Sequence, residues 1–96
     1  MAFTEVEIKE AHAALRDGFK AEDLFRLGLM YATENDGRGA NYVEAHKWFN
    51  LAAMMGSQPA KAYRAEITSE MSDGDVSHAL KNARAWLSKN RTRMAA

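Results

Sequence analysis

Three histidines, His12, His46 and His78, are the side chains best suited to metal binding or proton transfer in this chain. A zinc site needs about four convergent ligands. Each histidine falls in a different stretch, with no second ligand at the helical i+4 spacing that would complete a site. They read as packing or exposed residues. There is no cysteine, which excludes disulfides, zinc knuckles and thiol catalysis. The turn Glu34-Asn35-Asp36-Gly37 invites a calcium reading, but the EF-hand places Asp five residues before its glycine and Glu six after it. Those positions hold Ala32 and Val43, so a solvated turn is expected. Gly37-x-Gly39 has neither a third glycine nor a following Lys-Ser/Thr, and so makes no phosphate cradle. Ser57 and Ser72 read as helix caps, and Ser69, Ser77 and Ser88 lack a nucleophile elbow. Glu66 and Glu70 lie one turn apart, the ordinary spacing of solvated charges. No catalytic residue, metal ligand or cofactor site is expected.

The elements that would hold these residues are helical. Of 96 residues, 47% are hydrophobic, yet 18 are alanine and only Val6, Ile8, Val43, Ile67 and Val76 are aliphatic and β-branched. Alanine is the best helix former and proline the worst. Pro59 is the only proline. Few β-branched residues argue against a sheet, and nine aromatic residues with zero net charge argue against disorder. The charge is unevenly spread. Residues 1–23 carry six acids and three bases, whereas residues 76–96 carry five bases and no acid. Cations near a helix C-terminus complement the macrodipole, which accounts for this basic end; binding of nucleic acid or of an acidic partner is the alternative, although five charges with no interleaved exposed aromatic make a thin footprint. The first ten residues hold three acids and no apolar core, unlike a secretory signal. The longest uncharged run, Trp48–Ala60, has 13 residues, short of the roughly 20 that span a membrane. A cytoplasmic protein with no membrane contact is expected.

Five helical segments follow from caps and periodicity. Thr4 and Glu7 form a capping box for a helix that Gly18 ends. A second runs from about Ala21 to Thr33, with Leu24, Leu27, Gly28 and Tyr31 on one stripe that Phe25, Leu29 and Ala32 widen, enough for contacts on two sides. The third starts near Asn41, carries Ala45, Trp48, Phe49, Ala52 and Ala53, and closes at Gly56. The fourth starts at Ser57 with Pro59 in its first turn, where a missing N–H costs little, and carries Ala60, Tyr63, Ile67 and Met71. The fifth starts at Ser72 and carries Val76, Ala79, Leu80, Ala83, Trp86 and Leu87 at helical spacing.

The chain also repeats itself at an offset of 38 residues. Ala45-His46-Lys47-Trp48-Phe49 falls on Ala83-Arg84-Ala85-Trp86-Leu87, and Phe25-Arg26-Leu27 on Tyr63-Arg64-Ala65. Both tryptophans thus occupy one repeat position. A two-helix unit that stacks on its neighbours has this signature. Gly28 and Ala45 would be small so that backbones can approach, and Trp48 and Phe49 would fill the space between units.

Residues 21–56 resemble the Sel-one-like repeat, a helix-turn-helix relative of the tetratricopeptide repeat. The matching residues are Ala21, Leu27-Gly28, Tyr31, Gly37, Gly39, Ala45, Trp48-Phe49, Ala52-Ala53 and Gly56. The loop after Tyr31 is longer than the usual unit, and Asn41 stands where the family has Asp. Residues 59–94 resemble a degenerate second unit. There Ala83 and Trp86 survive, while Ala65-Glu66 and Ser69 replace Leu-Gly-x-x-Tyr. The closing segment Met71–Leu87 is similar to that of small bacterial proteins with this repeat. The resemblance implies an all-α, short α-solenoid of about two helix-turn-helix repeats, with residues 4–17 as an N-terminal cap helix. The domain division is then 21–56 for the first repeat, 57–90 for the degenerate second, and 91–96 for a frayed tail. It implies an adaptor acting through protein or peptide contacts, not an enzyme.

On the second helix, Asp23, Arg26 and Met30 lie opposite the Leu27/Tyr31 stripe, and the offset carries them to Lys61, Arg64 and Thr68. In a solenoid, first helices line the concave face, so these six residues are the expected partner-facing groove. Self-association into a homo-oligomer is the alternative, because a short solenoid buries few of its ends. A small-molecule carrier or enzyme with an unrecognised site is another.

Overall fold

The computed structural model describes residues 3–33 and 40–90. Among these are five α-helices and no strand: α1 (Glu5–Ala13), α2 (Ala21–Ala32), α3 (Tyr42–Met54), α4 (Gln58–Thr68) and α5 (Asp73–Lys89), with one 3-10 turn (Ala14–Asp17) continuing α1. None of these helices is long and apolar enough to cross a membrane.

Four of the five helix starts are made by the expected caps, and α2 starts after Lys20. Thr4 Oγ1 accepts from the Glu7 backbone N–H at 3.1 Å, and Glu7 Oε1 accepts from the Thr4 N–H at 2.9 Å. Asn41 Oδ1 accepts from the Glu44 N–H, Ser57 Oγ from the Ala60 N–H and Ser72 Oγ from the Asp75 N–H. A side chain that takes up one of the orphan N–H groups of a helix start stabilises it by about 1 kcal/mol. The stops behave likewise. Gly18 and Gly56 have φ of 106° and 102°, a backbone region that residues with a Cβ rarely enter.

The helices are organised around α3. Helices α2, α4 and α5 all pack on it, whereas α4 and α5 barely touch each other. It buries Ala45, His46, Trp48, Phe49, Leu51, Ala52 and Ala53, more of its circumference than the one stripe expected from periodicity. His46 and Leu51 are the added residues, and they are buried because α3 has partners on several sides. Helix α2 has the two-sided contacts that its wide stripe implies, with α3 and with α1. Met30 was expected on the open face but is fully buried in the core with Leu24 and Leu27. Helix α1 packs on α2 as well, and Ile8 of α1 and Leu15 of the 3-10 turn join the same core; a residue as fully buried as Met30 does not belong to a partner-facing surface.

Close approach of α2 and α3 depends on Gly28. A Cβ added there would overlap the Phe49 ring. That ring is fully buried and held between Phe25 (5.7 Å between centroids) and Tyr63 (5.5 Å), so it has nowhere to go. In an open helix, Gly→Ala stabilises by about 0.5–1 kcal/mol; overpacking costs about 1–3 kcal/mol. Packing therefore decides the sign: Gly28→Ala lowers the urea midpoint, and a raised midpoint would mean that Phe49 gives way. Trp48→Ala removes a residue that is only 1% exposed and loses about 3–5 kcal/mol, a large share of the roughly 5–15 kcal/mol that holds a domain together. A far-ultraviolet melt of that variant should show little cooperative transition; an unchanged midpoint would contradict the packing described.

Candidate functional site

The polar side chains group around two faces of α3. On the first, Trp48 is the centre. Its ring lies edge-on to His12 of α1 (5.5 Å) and to Trp86 of α5 (5.4 Å), and Trp86 in turn meets Phe19 (5.3 Å). His12 Nε2 hydrogen-bonds the Tyr31 hydroxyl at 2.9 Å, tying α1 to α2. The Trp48 indole N–H donates to Glu44 Oε2 at 3.1 Å, so the buried ring leaves no donor unpaired. Glu44 also pairs with Lys47 (3.1 Å), whose ammonium stands 4.3 Å from the Trp48 ring centroid. Burial pushes the His12 pKa down, the Glu44 carboxylate opposes that, and the Lys47 charge reinforces it.

On the second face, between α3 and α4, lies His46. Its Nε2 is 3.1 Å from Thr68 Oγ1. The Thr68 hydroxyl gives its single proton to the Arg64 carbonyl at 2.6 Å, so it accepts from His46, and Nε2 carries the imidazole proton. Nδ1 is then a bare buried nitrogen without a hydrogen-bond partner. Protonating it would put an unpaired charge in the interior, at a large cost. Burial accordingly lowers the His46 pKa, the Arg64 charge lowers it further, and the residue's own carbonyl offsets this only in part. His78 is exposed on α5. Among the described residues, no group of three or more His, Asp or Glu side chains is placed to hold a metal ion.

The expected groove residues are dispersed by their contacts. Arg26 and Lys61 are exposed. Arg26 lines a depression with Glu7, Glu10 and Ala11 of α1. Asp23 closes the start of α2 by accepting from the Lys20 N–H at 2.8 Å. Arg64 is half-buried and donates to Asn50 Oδ1 of α3 at 2.7 Å. Thr68 is spent on His46 and the Arg64 carbonyl. Three of the six, Asp23, Arg64 and Thr68, thus hydrogen-bond within the chain, and Met30 is core. The repeat positions Leu27, Gly28, Ala45, Trp48, Phe49, Ala52, Ala53 and Ala83 are all buried, while Tyr31 and Trp86 are half-buried and Gly56 is exposed at a turn. Gly37, Gly39, the Glu34–Gly37 turn, Arg91 and Arg93 lie outside the described residues. Sequence periodicity missed the Glu44–Lys47–Trp48 cluster and the His12–Tyr31 bond. The i, i+3 and i, i+4 spacings of Glu44, Lys47 and Trp48 were the available signal for the first.

Comparison with protein-family models, with curated proteins and with solved structures finds no match to this chain.

The two histidines fix the direction of the pH dependence. Both have folded-state pKa values below the ordinary histidine value of about 6.5. Above that pH both states are neutral; as pH falls through it, the unfolded chain takes up more protons than the folded one, and stability falls. Wild type should lose stability between neutral pH and about pH 5, and His46→Gln should lose less over the same range, although it starts from a lower midpoint. Equal slopes for the two proteins would show that His46 titrates as freely folded as unfolded.

Proposed function

We propose that this chain is a short α-solenoid of about two Sel-one-like repeats with α1 as the cap helix, and that it works in the cytoplasm as a non-catalytic adaptor binding a protein or peptide in a helix-lined groove. One observation carries the reading: residues one repeat apart touch. Trp48 meets Trp86 at 5.4 Å and Phe25 meets Tyr63 at 5.5 Å, and each pair is separated by 38 positions. Units stacked by translation along an axis bring equivalent residues of neighbours together in this way. The loose pairing of α4 with α5 fits a worn second unit. Where the first has Leu27, Gly28 and Tyr31, the second has Ala65, Glu66 and Ser69, and all three are exposed. Nothing there permits close approach or fills the gap.

The groove is the face of α2 and α4 that presents Arg26 and Lys61. Arg64 is a poor probe of it, because its guanidinium is engaged with Asn50. Affinity capture from the source cell with wild type beside Arg26→Glu/Lys61→Glu tests the reading. The double variant, folded by circular dichroism, should lose a partner that wild type recovers. Recovery of the same proteins in equal amounts by both would refute the groove. Light scattering over a range of concentrations separates the adaptor reading from self-association: the adaptor stays monomeric.

A further inference from the structure

A different face of α3 carries a feature that the groove reading does not use. Lys9 and Arg16 of the first helix and its 3-10 turn lie beside His12, and Lys47 of α3 and Lys89 of α5 lie beside Trp86; His12 and Trp86 each stand edge-on to Trp48. Lys9, His12, Ala13 and Arg16 line one shallow depression of about 620 Å3. Glu44, Lys47, Asn82, Ala85, Trp86 and Lys89 line another of about 230 Å3. His12 of the first depression feels the charges of Glu44 and Lys47 of the second, and buried Trp48 lies behind both, in edge-on contact with His12 of one and Trp86 of the other.

The charges do not cancel there. Glu44 is the one acid lining either depression, and both its oxygens are taken, by Lys47 and by the Trp48 indole. Among the described residues, Lys47–Glu44 is the only ion pair; Lys9, Arg16 and Lys89 are exposed without one. In a chain of zero net charge, the residues that line the two depressions carry four cations against one acid.

We propose that this α1–α3–α5 face binds an acidic peptide segment of a partner protein. The open depressions suit an extended segment carrying several carboxylates, which the separated cations can meet one by one. A nucleic acid fits less well. Bases are held by stacking on free aromatic faces, but Trp48 is buried and Trp86 is wedged between Trp48 and Phe19. The carboxylate of Glu44 also stands among the cations, where it repels a phosphate chain. Exposed ion pairs contribute only about 0–1 kcal/mol each and are screened by salt, so the complex is weak and salt-sensitive, and its specificity lies in the charge pattern.

The test is fluorescence anisotropy of a short labelled Glu-rich peptide at low salt, with its Gln-for-Glu twin as control. Wild type should bind the Glu peptide, lose it on addition of salt, and ignore the twin. Lys9→Glu/Arg16→Glu/Lys89→Glu should weaken binding by at least about tenfold, while Arg26→Glu/Lys61→Glu leaves it unchanged. The replaced side chains are exposed; should the triple variant fail to fold, Lys9→Gln/Arg16→Gln gives the same comparison with a smaller loss. Absence of binding to folded wild type overturns the proposal. So does equal weakening by the Arg26/Lys61 variant, or tighter binding of a single-stranded oligonucleotide than of the peptide. Because the Arg26/Lys61 variant reports on the other face, failure here leaves the α2–α4 groove standing, and failure there leaves this face standing.

Discussion

Everything in this molecule leans on the burial of Trp48. The ring is large, apolar over most of its surface and polar at one atom. The structure answers both requirements locally. Glu44, one turn earlier on the same helix, accepts from the indole N–H, so the ring needs no water and no distant partner. The rest of the ring is then free to serve as a wall for other helices. His12 comes to it from α1 and Trp86 from α5. An aromatic residue buries about 150–250 Å². In a chain whose apolar content is mostly alanine, a few such wedges supply much of the driving force. Alanine contributes the opposite property: it lets the helices come near enough for the Trp48 ring of α3 to reach two others.

The other side of α3 works by the same logic with different parts. Phe49 is the wedge, Gly28 is the space made for it, and Phe25 and Tyr63 close the gap. Trp48 and Phe49 are adjacent in sequence, so they point about 100° apart on the helix and serve different neighbours. That single pair explains why α3 is the hub and why α4 and α5 have so little to do with each other. Each is held to α3 by its own aromatic contact, Tyr63 for α4 and Trp86 for α5.

Much of this was legible in the chain. Thr4, Asn41, Ser57 and Ser72 marked helix starts because capping depends on neighbours three residues away. Gly18 and Gly56 marked stops because positive φ is a local property. Gly28 and the aromatic positions were visible through the repeat. What was hidden depends on contacts between helices. A stripe shows that a helix has neighbours but not how far round they reach, so Met30 on α2 and His46 and Leu51 on α3 are buried beyond the expected stripes. Thr68 is exposed, as expected, but its bond to His46, 22 positions away, and the bond from Arg64 to Asn50 were hidden, because both join one helix to another. The cationic face was invisible for the plainest reason: Lys9, Arg16, Lys47 and Lys89 are scattered along the chain and line the two depressions only after folding.

A hub at α3 makes a definite statement about how the molecule comes apart. Contacts concentrated on one helix mean that its backbone amides open only when the whole structure opens, whereas α4, with exposed Ala65, Glu66 and Ser69 on its outer side, can leave first. Native-state amide hydrogen exchange reads this directly. The account predicts that the slowest amides lie in α3 around Ala45–Ala52, with an opening free energy equal to that of global unfolding by denaturant, and that α4 exchanges at a lower free energy. Amides of α3 that exchange through small openings while those of α4 persist to global unfolding would contradict it.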